Sequence, residues 1–126
     1  MDESVNKITE KLIANYIKDK LTHDAKWQLK ALIRIYEFQT SDEKLFENTT
    51  VHNKVGFSGI DGEIMTSMAK QYLRKGYLSP KQMAVVTKRI PHYWMQIQKL
   101  SDRNKILKCA CVDGWITEED LFLNSL

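Results

Sequence analysis

Asp42, Glu43, His52, Asp61 and Glu63 gather in one polar stretch of this 126-residue chain. Carboxylates beside an imidazole can hold a divalent cation for phosphodiester cleavage, or work as an acid–base pair. Their spacing fits no metal motif, and Asp42, Glu43 and Asp61 sit where helices are expected to begin. Hydrogen bonds to backbone amides are therefore their expected work. Asp113 to Asp120 overlays the second half of a calcium loop, but its first and third positions would be Cys109 and Cys111, whose thiols do not suit Ca²⁺. These two thiols point to opposite sides of a helix, which reads as two small core residues in a reducing compartment. No metal, no cofactor and no catalysis are expected. A small metal-dependent nuclease is the enzymatic alternative.

The charge is more informative. The net value is only +3, yet residues 64–108 hold ten basic side chains against one acid, Asp102. Residues 109–126 hold four acids and no base. A local field of one sign attracts polyanions even on a nearly neutral molecule. The acidic end could also fold back and neutralise the basic segment. Within that segment Lys70, Arg74, Lys75, Lys81, Lys88 and Arg89 fall opposite the apolar stripes of two helices joined by a short turn. The pair resembles a helix-turn-helix, with a helix start at Ser79 that offers amides to a phosphate. Tyr93 and Trp94 are adjacent, so one ring is expected to lie exposed for base stacking. Gln82 is the lone candidate for reading a base edge. Phosphate contact without strict sequence readout fits this inventory best.

These residues need helices to position them. The 43% hydrophobic and 28% charged composition is that of a globular chain, and 5 Gly and 2 Pro are too few for a turn-rich β-sandwich. No apolar run approaches the ~18 residues of a membrane span. The N-terminus is unlike a signal or transit peptide, which implies a cytoplasmic protein. Helical spacing covers Ser4 to Leu21, and Asp24 then caps a second, mostly apolar helix from about Ala25 to Phe38. Residues 39–60 lose periodicity and read as one long polar loop, with Phe57 plugged into the core between glycines. A third helix runs from Asp61 to about Lys75, with Gly76 as its C′ residue. Ser79-Pro80 opens a fourth, which Pro91 ends or kinks. Further helical stretches follow to Leu100 and from Asp102 to Cys111. Thr117 and Asp120 form a capping box for a last short helix. The expectation is a single all-α domain over residues 1–126, a compact bundle of about five to six helices.

The succession Gln39-Thr40-x-Asp42-Glu43, Val51-His52-Asn53, Gly56-Phe57-Ser58-Gly59-x-Asp61, Leu78-Ser79-Pro80-Lys81-Gln82 and Tyr93-x-x-Gln96 resembles a small module of phage and mobile-element proteins. That module occurs alone or beside helicase-like domains, and the resemblance spans about residues 27–97. It implies a role linked to nucleic acid in a bacterial or phage-infected cytoplasm, and no reaction. The expected function is a small nucleic-acid-binding accessory protein, with DNA favoured over RNA. Its site comprises Lys70, Arg74, Lys75, Lys81, Lys88, Arg89, Tyr93 and Trp94. The alternative is a protein-binding module or inhibitor that docks on a host or replication enzyme.

Overall fold

A computed structural model describes residues 3–45 and 56–124, with side chains over 10–40 and 56–123. Among the described residues seven α-helices follow one another: α1 Glu3–His23, α2 Ala25–Leu45, α3 Asp61–Lys75, α4 Pro80–Arg89, α5 Trp94–Leu100, α6 Arg103–Val112 and α7 Glu118–Asn124. A 3₁₀ turn, Ile90–Tyr93, joins α4 to α5. No strand occurs among the described residues. The fold is all-α, and among the described residues no helix is long and apolar enough to cross a membrane.

α1 presents Ile13, Tyr16, Ile17 and Leu21, all buried, at the three-and-four spacing of one helical face. α2 answers with Ala31, Leu32 and Ile35, and touches α1, α3, α4 and α5. It is the central element. Asp24 separates the two helices and caps the second, its Oδ1 accepting from the Lys26 and Trp27 amides at 2.9 and 3.4 Å. Gln28 is the one buried polar side chain among the described residues. Its amide donates to the carbonyls of Leu21 and Thr22, which the end of α1 leaves without helical partners. Its oxygen accepts from the Thr87 hydroxyl of α4 at 2.9 Å. A glutamine therefore stitches three helices in the core with every polar atom satisfied.

Two expectations need correcting here. α2 continues past Phe38 to Leu45, so the first part of the expected loop is helix. Residues 39–45 contain no glycine or proline to stop it, and the Thr40 hydroxyl folds back on the Tyr36 carbonyl at 2.8 Å. Asp42 and Glu43 thus sit in the last turns of α2 and start no helix; their side chains, and all of His52, lie outside the described residues. The cysteines are not core either. Cys109 is exposed and Cys111 half-buried, while Ala110 between them takes the buried position.

The acidic C-terminal region does fold back, but Asp113 goes to α1. Its Oδ2 accepts from the Tyr16 hydroxyl at 2.6 Å and from the Lys20 ammonium at 2.9 Å. The rings of Trp27 and Trp115 meet Tyr16 edge-on around this pair. The Tyr16 hydrogen bond and then Lys20 hold the Asp113 carboxyl below its ordinary value. Burial, then Asp113, pushes the Tyr16 phenol well up, and Asp113 likewise raises Lys20. A depressed acid contributes stability that is lost as pH falls through its folded pKa. The raised phenol and ammonium contribute stability that is lost as pH rises beyond about 10. The melting temperature should thus be flat across neutral pH and fall on both sides. Asp113→Asn should flatten the acid limb and weaken the alkaline one, where the burial of Tyr16 persists, and wild-type-like limbs in that variant would refute this network.

Candidate nucleic-acid interface

α3 buries Met65, Met68 and Ala69 against α2, which turns Lys70 and Arg74 to solvent. Gly76, at φ 83°, closes the helix in the left-handed conformation that a side chain disfavours, and its amide bonds the Tyr72 carbonyl. α4 then starts with a complete capping box. The Ser79 hydroxyl accepts from the Gln82 amide at 3.2 Å, and the Gln82 side chain accepts from the Ser79 amide at 2.9 Å. Val86 is the buried residue of α4, and Lys81 and Lys88, two turns apart on the same face, point outward.

The two helices run antiparallel and are joined at both ends. Near the turn, Gln71 and Gln82 exchange two side-chain hydrogen bonds at 2.8 and 2.9 Å. At the open end, Arg89 reaches Asp61 at 2.7 Å. The pair is a helical hairpin tied near its turn and at its open end. Between the ends lies a groove of about 470 Å³, floored by Ile64, Met68 and Val85 and bordered by Glu63, Ser67, Lys81 and Gln82.

Lys70, Arg74, Lys75, Lys81 and Lys88 are all exposed. Among the described residues no salt bridge reaches any of the five. The hairpin carries two acids, Asp61 and Glu63. Arg89 neutralises the first. The outer face thus holds five uncompensated cations against Glu63. Farther along the basic segment Arg103 is paired with Glu10 at 3.0 Å, while Lys99, Lys105 and Lys108 are exposed and no salt bridge among the described residues reaches them.

Three of the expected site residues have other work. Tyr93 is buried, 5% exposed, and its hydroxyl donates to Asp61 at 2.9 Å, so it presents no face to a base. Trp94 is half-buried against the core, and the Lys18 ammonium lies 4.3 Å from its ring centre. Arg89 is committed to Asp61. Gln82, the candidate for a base edge, is consumed by the capping box and by Gln71. The α4 N-terminus also offers little to a phosphate, because Pro80 has no amide hydrogen and the Gln82 and Met83 amides bond Ser79.

What these residues build is a clamp on the segment entering α3. Asp61 caps nothing, contrary to expectation; its two oxygens take Arg89 and Tyr93. The Ser58 amide donates to the Tyr93 hydroxyl at 3.2 Å. Gln96 grips Gly56 on both sides, accepting from its amide at 2.9 Å and donating to its carbonyl at 3.1 Å. Gln39 accepts from the Phe57 amide at 2.9 Å and donates to Thr66. The Phe57 ring packs edge-on against Tyr93, so the expected aromatic plug is present. Gln39, Gly56 to Asp61, Tyr93 and Gln96 thus meet in one network, although they lie far apart in the chain. Sequence reasoning named these residues without their roles, since nothing in local spacing announces a hydrogen bond across dozens of residues.

Among the described residues no group of three or more His, Cys, Asp and Glu side chains is placed to hold a metal ion. No family model, curated protein or solved structure matches this chain.

Proposed function

We propose that the chain is a small nucleic-acid-binding accessory protein that lays the α3–α4 hairpin on a phosphate backbone. The observation that carries this reading is the set of five exposed cations without acidic partners on one helical hairpin. Lysines and arginines that are already paired gain little from a phosphate. Unpaired ones release the condensed counterions of the polyanion, which is the main source of such affinity. The side chains of Gln71 and Gln82 are tied to each other and to the α4 cap, which favours backbone contact tolerant of sequence. The resemblance to a module of phage and mobile-element proteins favours DNA metabolism in a bacterial or phage-infected cytoplasm.

The test is a mobility-shift or anisotropy titration with DNA and RNA across a salt series. Five phosphate contacts give a slope of log K against log[salt] near −4.5 for duplex and about −3.5 for a single strand. Shuffled sequences should bind alike. Absence of binding at ~50 mM salt, where this electrostatic attraction is strong, would falsify the reading.

A further inference from the structure

We infer that the groove between α3 and α4 seats unstacked bases, making single-stranded nucleic acid the ligand class of the hairpin face; this rests on the reading above. The groove lies inside the cationic face, for Lys81 is one of its walls and Lys88 stands one turn beyond Val85 on α4. Its floor is aliphatic: Ile64, 43% exposed, with Met68 and Val85. A duplex seals its bases in the stack and would set charged sugar-phosphate over this floor, which leaves the apolar surface with nothing to gain. A single strand can turn a base inward onto this apolar floor while its phosphates stay among the lysines. Tyr93 is buried and Trp94 half-buried, and the exposed ring of the hairpin, Tyr77, sits in the turn outside the groove, so the groove itself offers aliphatic surface.

The polar border bears on where phosphate can lie and on base tolerance. Glu63 is the one acid of the groove, near the start of α3, and Lys88 stands at that same end of α4, while Arg74, Lys75 and Lys81 gather at the turn end. Gln82 is held in place by Gln71 and Ser79, its oxygen accepting from both and its amide donating to Gln71. About 470 Å³ falls in the range of small-ligand sites.

The experiment compares an oligonucleotide carrying one 2-aminopurine with its duplex of equal length, on wild type and on Ile64→Ser. Single strands should bind at least about fivefold tighter than the duplex. The 2-aminopurine emission should change on binding. Ile64→Ser removes exposed apolar wall and no charge, so it should erase the single-strand preference and the emission change while leaving the salt slope intact. Equal affinity for both forms, a preference for duplex, or an Ile64→Ser variant that keeps the full preference would each overturn the groove as a base seat while the electrostatic reading stands. Binding to neither form overturns that reading as well.

Discussion

Replacing Lys70, Arg74, Lys75, Lys81 and Lys88 together with alanine should abolish nucleic-acid binding while leaving the fold unchanged. Each lost phosphate contact removes about one unit of salt slope. The slope should therefore fall from about −4 towards zero, with affinity lost equally for every sequence. None of the five belongs to the core, and no salt bridge among the described residues is broken, so the melting temperature should stay close to wild type. Adding Arg89→Ala should cost stability and little further affinity, because that guanidinium already serves Asp61. Undiminished affinity in the five-fold variant would make the basic face an ordinary solvated surface. A protein partner would then be the better reading.

The second large effect is on stability. Asp61→Ala should cost about 2–3 kcal/mol, measured by urea unfolding. It removes the carboxylate acceptor of the Tyr93 hydroxyl, which keeps only Ser58, and leaves the Arg89 guanidinium unpaired, and the 40% exposure of Arg89 keeps the figure below that of a fully buried pair. Removal of a simple helix cap would cost only about 1 kcal/mol and would be insensitive to Arg89. Gly56→Ala attacks the same clamp from the other side. Gly56 has φ 139°, and an added Cβ would lie 2.7 Å from the Gln39 oxygen that holds Phe57. A further cost of roughly 1–3 kcal/mol is expected from the backbone alone. A near-neutral Gly56→Ala would mean that the segment before α3 is not fixed by Gln39, Gln96 and Tyr93.

Local chemistry made much of this fold legible before any coordinates. Ser79-Pro80 with Gln82, Asp24, Gly76 and the Thr117–Asp120 box act where they stand in the chain, and each marks the helix boundary expected of it. The α2 terminus was less legible, because Gln39 to Leu45 is polar without being helix-breaking. Hydrophilicity alone suggested a loop. Asp61 misled for a related reason: an acid at the start of a helix is a common cap, and only the return of α4 brings Arg89 and Tyr93 to it. Tyr93 and Trp94 show the same limit. Adjacent helical positions cannot both face inward equally, but here the chain passes from a 3₁₀ turn to an α-helix between them, and Tyr93 is buried and Trp94 half-buried. The outward lysines were legible because an apolar stripe dictates the opposite face. Their freedom from carboxylates was not, since that depends on which elements pack nearby.

On the proposed reading nucleic acid lies chiefly on the α3–α4 hairpin. An NMR titration of the isotope-labelled protein with a short DNA single strand, at low and at physiological salt, tests it directly. Amide shifts should concentrate between Lys70 and Lys88, extend to Ile64 on the groove floor, fade as salt rises, and spare α7. Shifts centred instead on Lys99 to Lys108, or none at low salt, would contradict it.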